Sequence, residues 1–255
     1  MDGYDDRTYG EAFADVYDEW YHGVSDVEAT VTDLLAFTPV GGRILELGVG
    51  TGRLAVPLAV AGAPIGVSVT GVDSSPAMLA KLAVRDTDGL VTAVLGNMVG
   101  DAPPGPFHVA FVAYNTLFNL TGDHEQAACF TAMAQRLAPR GRFIVEAFVP
   151  DEPFRAGDEV SVRNLASNRV VLSVTKYLPE RQGAEGQFIE FTETGGVRLR
   201  PWAIRYATPE QLDTFARAAG FELEHRWESF GDAASTVRFD EHSNRHVSVY
   251  RLAMS

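Results

Sequence analysis

The 255 residues predict an α/β fold: a doubly wound, mostly parallel sheet with an antiparallel β insertion in its later half. Three observations predict it. Short β-branched runs alternate with amphipathic stretches through the first 150 residues, the pattern of βαβ units. After Pro150 the alternation takes period two, with a Gly-Gly hairpin signal and no helix between strands. A capped helix and two further strands then complete the chain, whose 46% apolar content can bury an ample core.

The elements follow in order. "RILELGV" (43–49) reads as the first strand and "GRLAVPLAVAG" (52–62) as the helix after it, which Pro57 is expected to bend. "SVTGVDSSPAMLAKLAV" (68–84) gives a strand, a serine cap with Pro76 in the first turn, and a second helix. "VTAVLGNM" (91–98) and "FHVAFVAYN" (107–115) are the third and fourth strands. "HEQAACFTAMAQRLAP" (124–139) is a helix expected to stop at Pro139, and "GRFIVEAFV" (141–149) the fifth strand. Residues 151–206 form the antiparallel insertion, expected to cover the carboxyl ends of the parallel strands. "TPEQLDTFARAAG" (208–220) is a capped helix, and "FELEHRWESF" and "RHVSVYRLA" return to the main sheet, giving seven strands.

Charge and cysteine narrow the function. A net charge of −13 opposes binding to nucleic acid, which requires clustered Lys and Arg. The single cysteine, Cys129, excludes an intramolecular disulfide and a Cys-rich zinc site. The start "MDGYDDRTYG" lacks the features of a signal peptide and no apolar run reaches membrane-spanning length, so a cytoplasmic protein without membrane contact is expected. His242 and His246 are too loose a pair to suggest a metal site, and no metal is expected.

The glycines of "ILELGVGTGRLAVPLA" carry the chemistry. Gly48, Gly50 and Gly52 are spaced G-x-G-x-G with Arg53 next, which departs from the dinucleotide pattern G-x-G-x-x-G and from a phosphate loop. Glu46 stands just before the turn, where it would repel an anion, so a cationic or zwitterionic ligand is expected. S-adenosylmethionine, with an ammonium and a sulfonium and no phosphate, fits.

"LELGVGTGR" resembles the first motif of the class I S-adenosylmethionine-dependent methyltransferases, and the resemblance covers roughly residues 9 to 150. It implies a Rossmann-like seven-stranded sheet whose last strand is antiparallel, with the insertion capping the active site. It implies that Asp73, at the end of the second strand, grips the two ribose hydroxyls beside Ser74. "LGNM" stands where the family has Gly-Asp-Met beside the adenine; Asn97 departs from that pattern but offers an amide oxygen and N–H₂, and Met98 and Met78 would flank the ring. Tyr21, Thr51 and Asn115 complete the expected cofactor contacts.

Acceptor contacts in this family come from the N-terminal segment, the loop after the fourth strand and late insertions. Residues 1–30 are therefore expected to form a lid on a core of 31–150 that is completed by 207–255. Tyr9, Phe13, Tyr17 and Tyr21 fall at steps of four on one helix, as a lid stripe or as core packing. Tyr9, Tyr17 and Phe118 are the residues expected to align the reacting groups. The chain looks most like the small-molecule amine methyltransferases of antibiotic amino-sugar and lincosamide assembly. No histidine lies in the loop after the fourth strand or in the insertion, and His22 is the one candidate base near the lid. N-methylation of a small-molecule amine by proximity is the expected activity, with O-methylation or non-catalytic cofactor binding as alternatives and a homo-oligomer as a possible assembly.

Overall fold

A computed structural model describes residues 1–231 and 239–253. Seven helices are described: α1 (Thr8–Phe13), α2 (Tyr17–Trp20), α3 (Val27–Ala36), α4 (Ala55–Gly62), α5 (Pro76–Arg85), α6 (Glu125–Ala134) and α7 (Pro209–Ala218). The strands are β1 (Arg43–Leu47), β2 (Ser68–Asp73), β3 (Val91–Leu95), β4 (Phe107–Val112), β5 (Leu137–Phe148), β6 (Gly157–Ala166), β7 (Arg169–Leu178), β8 (Gly183–Thr192), β9 (Gly196–Arg205), β10 (Phe221–Trp227) and β11 (Arg245–Leu252).

Seven strands form one sheet in the order β10-β11-β5-β4-β1-β2-β3. β1 pairs in parallel with both β2 and β4, whereas β11 runs antiparallel to β5 and β10. The order reverses between β1 and β4, so the crevice at their carboxyl ends is the topological switch point where open α/β sheets bind ligands. Alternation along β1 fills both faces: Leu45 and Leu47 pack with Phe130, Met133 and Leu212 from α6 and α7, while Ile44 packs with Leu34, Leu58 and Leu82 from α3, α4 and α5. The cofactor-side caps are made as the sequence suggests. Ser75 accepts from the Met78 amide with Pro76 in the first turn of α5, and Thr208 and Gln211 complete a capping box on α7.

The remaining four strands form a separate antiparallel sheet, β6-β7-β8-β9. Its inner face meets α1 and the loop after β4, so it stands over the switch point as a cap.

Three expectations need correction. Pro57 does not bend α4, because the helix begins at Ala55 and the Val56 and Leu58 amides on either side keep their bonds to the Gly52 and Leu54 carbonyls. Pro139 does not stop α6, which ends at Ala134; Pro139 lies inside β5, where the pairing with β4 slips between Phe107 and Val109 and leaves residues 138–141 out of register. The N-terminal aromatic stripe is not one helix. The chain breaks between α1 and α2, where Asp15 pairs with Arg200 and Arg198 of β9.

Candidate active site

The glycine turn after β1 is shaped by backbone, since Gly48, Gly50 and Gly52 all have positive φ, at +67°, +55° and +76°. At Gly48 an added Cβ would sit 2.3 Å from the Thr116 methyl of the loop after β4, so only glycine allows the two loops of the switch point to touch. Asp73 ties the turn to β2: one carboxylate oxygen accepts the Gly50 amide at 2.8 Å and the other the Ser75 amide at 2.9 Å.

Beneath the turn Glu46 is 4% exposed, and its Oε2 is buried without a hydrogen-bond partner. Burial pushes its carboxyl up to about 8, against the pull of Arg53. An orphaned buried carboxylate oxygen is costly unless a donor arrives.

A cleft opens above these groups. Gly48, Gly50, Asp73, Ser74, Met78, Asn97 and Met98 line it, facing Tyr9 and Tyr17 from the N-terminal segment. Seven of the twelve expected cofactor residues thus line one cleft at three strand ends, under α1 and α2, whereas Tyr21, Glu46, Thr51, Gly52 and Asn115 do not line it.

Known proteins share this fold. A methyltransferase domain family matches residues 44–141. The CcbJ methyltransferase of Streptomyces caelestis has 39% identical residues and a TM-score of 0.87, over 98% of this chain and 100% of that one. The chain belongs to the S-adenosylmethionine-dependent methyltransferases. A Cypemycin N-terminal methyltransferase from Streptomyces sp is 28% identical over 240 residues, 93% of this chain and 96% of that protein. The fold is also that of the sugar N-methyltransferase KedS8 from Streptoalloteichus, with a TM-score of 0.66 at 21% identity over 100% of this chain and 99% of that one.

The residues of this methyltransferase fit the cofactor. The unpartnered Oε2 of Glu46 awaits a cationic donor, and the Asp73 carboxylate keeps acceptor capacity beyond its two amide bonds. Burial is the main force raising Asp73 from its usual range, offset by those amides.

Other expected residues are committed elsewhere. The Thr51 hydroxyl donates to Asp18 of α2 at 2.7 Å, and Asp18 also pairs with Arg85 at 2.8 Å, so Thr51 anchors the lid to the glycine turn. Asn97 Oδ1 accepts the Val99 amide at 2.8 Å and its N–H₂ donates to Asp6 at 3.2 Å, while Ser74 donates to the Asp6 carbonyl at 2.6 Å. Asn115 Oδ1 accepts the Phe148 amide at 2.7 Å, which holds the loop after β4 rather than presenting a free side chain. Phe118 is 0% exposed and packs edge-on against Phe148, 5.0 Å between centroids. It backs the cleft from the core and does not line it, because the loop turns it inward.

The lid is a chain of rings. Tyr9 stacks on Phe13 at 4.4 Å, Tyr17 meets Tyr21 at a tilt with 4.9 Å between centroids, and Tyr21 reaches Tyr114 of the β4 loop at 5.8 Å. Phe13 is fully buried against Trp20 and Phe188 of the cap, so within one stripe it is core while Tyr9 and Tyr17 face the cleft. Burial pushes the Tyr9, Tyr17 and Tyr114 phenols above their usual value, which keeps them protonated at neutral pH.

Several site residues escape the sequence reading. Tyr4, Asp5 and Asp6 line the end of the cleft beside Asn97, and Glu11 accepts from the Ser75 hydroxyl at 2.8 Å and the Ala77 amide at 3.1 Å. Gly10 is required there, since a Cβ would meet the Ser75 Cβ at 2.3 Å. A signal was the Asp5-x-x-Thr8 spacing, since Asp5 accepts the Arg7 and Thr8 amides, both at 3.0 Å, in the turn that precedes α1. Among the histidines, His22 is exposed with Nδ1 2.8 Å from the Glu19 carbonyl, and His246 is fully buried with its ring held down to about 3 by burial. Among the described residues no cluster of His, Cys, Asp or Glu could hold a metal, and no helix is long and apolar enough to cross a membrane.

Proposed function

We propose that this methyltransferase N-methylates a small-molecule amine in natural-product biosynthesis, with alignment rather than a side-chain base as the enzyme's contribution. The observation that carries the reading is the makeup of the cleft. Its described lining holds no histidine, and its phenols are pushed away from ionisation. An alcohol acceptor would find neither an imidazole nor a phenolate there to take its proton. The Cypemycin N-terminal methyltransferase, the 28% identical relative, is named for an amine acceptor and supports the same choice.

S-adenosylmethionine, when bound, supplies a methyl group on a sulfonium. Glu46 meets positive charge with its unpartnered oxygen, and Asp73 with the fixed glycine turn holds the ribose end. Tyr9 and Tyr17 close over the cleft, exclude water and present ring faces to cationic groups. The acceptor amine supplies its own lone pair. Freeing it at neutral pH costs about 4 to 5 kcal/mol in water for an amine of ordinary basicity, and burial beside a cation lowers that cost. Alignment of nucleophile and methyl then supplies on the order of 7–11 kcal/mol.

Incubation with S-adenosylmethionine and a panel of amino sugars, aminoacyl amides and phenols, with products located by mass spectrometry, tests the reading. Methylated nitrogen is expected. Methylation confined to phenol oxygen overturns it in favour of O-methylation, and cofactor binding without any product points to a non-catalytic protein.

A further inference from the structure

The cap sheet turns an apolar face away from the molecule. Its inner face is occupied, with Phe188 and Trp202 packed into the lid cluster and Arg200 bound to Asp15. The outer face is built by three alternate rows of side chains across β6, β7, β8 and β9, running from Val160 to Pro201, from Val162 to Leu199 and from Leu165 to Val197. Of these twelve residues only Gln187 is polar, and none is charged. An antiparallel sheet with one face in water alternates apolar with polar residues, and this sheet does not.

Much of that face stands open. Val160, Val162, Leu165, Phe191, Val197 and Leu199 keep between 41% and 76% of their surface exposed. Together they present roughly 650 Å², more than the about 300–600 Å² of the largest apolar patch on a typical monomer. The half-buried Leu172, Val174 and Ile189 of the two central strands fill the space between them, which brings the face to about the 800 Å² that each partner contributes to a stable interface. The sheet edge is protected in another way. The register of β6 slips between Val162 and Asn164, and the extra residue, Arg163, turns inward over the Trp20 ring at 4.7 Å. That bulge keeps Val162 and Leu165 on one outward face and interrupts the run of free backbone groups with which a further strand would pair.

We propose that the outer face of the cap is the seat of a second copy of this chain, packed sheet on sheet about a two-fold axis. An isologous contact requires a surface that suits itself, and a pleated, uncharged field of valine and leucine meets that need. The net charge of −13, carried elsewhere, opposes contact between other faces of two copies. Face-to-face sheets pack about 10 Å apart with interdigitating side chains, so the rows of one copy enter the grooves of the other. A lipid surface is the poorer occupant, because the rim carries Asp158, Glu185 and Glu193 against Lys176, whereas anionic headgroups attract basic rims. Assembly through this face is independent of which atom accepts the methyl group.

Sedimentation equilibrium of the full chain tests it. The wild type is expected at no less than twice the mass of one chain. Val162→Glu and Leu199→Glu place a charge in the central row of each copy, and each should weaken association at least tenfold while S-adenosylhomocysteine affinity stays within twofold. Val40→Glu, at an exposed valine outside the cap, should leave the mass unchanged. The double change Val162→Ser with Leu199→Ser removes apolar surface without adding charge, should also weaken association tenfold, and decides the matter if the glutamate variants do not fold. A wild type with the mass of one chain at every concentration, or glutamate variants that associate as tightly as the wild type, overturns the assignment. Binding of a one-chain wild type to phosphatidylglycerol vesicles, lost in Val162→Glu, gives the face to a lipid surface instead.

Discussion

Glu46 shows how one side chain can carry an expectation of charge from sequence to measurement. Its place before the glycine turn argues for a cationic ligand, and the structure adds that Oε2 is buried and unpartnered, with the carboxyl raised to about 8. In the unfolded chain the group ionises near the ordinary glutamate value, so between there and about 8 the unfolded state sheds a proton that the folded state keeps. Stability contributed by this carboxyl is complete at pH 4 and is lost as the pH climbs to 8. Urea denaturation of the cofactor-free protein should show wild type losing on the order of 3–5 kcal/mol relative to Glu46→Gln between those limits. Parallel profiles for the two proteins would remove Glu46 from the role of a buried carboxyl that holds its proton until a cation arrives. Asp73 was as legible as Glu46, because a strand end followed by Ser-Ser-Pro fixes its position. Asn97 was legible only as a position: its oxygen is used by the Val99 amide, a local turn bond that no comparison of motif letters reveals.

At the scale of elements, the sheet was readable because β-branched runs and caps are local signals, and the lid was not, because its break is made by distant partners. Nothing between Ala14 and Val16 is a helix breaker. Asp15 is drawn to Arg200, which is 1% exposed and also holds Glu190 at 2.7 Å and the Ala12 carbonyl, so β9 sets where α1 ends. Arg163, Arg169 and Arg200, from three cap strands, then lie 4.7, 5.6 and 5.4 Å from the Trp20 ring. The result is a lid held on both sides, by Thr51 and Arg85 through Asp18 and by the cap through Trp20 and Asp15. Rigid placement of Tyr9 and Tyr17 follows, and turnover should depend on it. Tyr9→Ala or Tyr17→Ala is expected to cost one to two orders of magnitude in kcat/KM, about what a 1 Å misplacement costs, with Tyr→Phe milder because the ring remains. His22→Ala should stay within a few-fold of wild type. A loss near three orders of magnitude in His22→Ala with the tyrosine variants intact would return the chemistry to a base and an oxygen acceptor.

For the whole molecule, the chain is acidic, yet the guanidinium groups of the cap gather around the lid, so net charge says little about the field at the site. The cap's existence was visible in its period-two strands, whereas which of its residues meet the lid depends on the register of β8 and β9, information spread over the whole sheet. What the complete architecture implies for acidity can be separated into two profiles. The Tyr9 and Tyr17 phenols are raised above their usual range and contribute no limb near neutral pH. Glu46 ionises near 8 in the cofactor-free chain, and a bound cation draws that ionisation to lower pH. Because kcat/KM reports the free enzyme and kcat the loaded one, kcat/KM for S-adenosylmethionine should rise through a limb near 8 whatever the acceptor. Under saturation, kcat should rise with pH in a single limb that belongs to the acceptor's own amine. Two acceptors whose amines differ by about two pKa units, measured side by side under saturation, should therefore give limbs displaced in the same direction. A limb in kcat that stays fixed when the amine is changed would place the titrating group in the protein, and with it a base that alignment alone does not need.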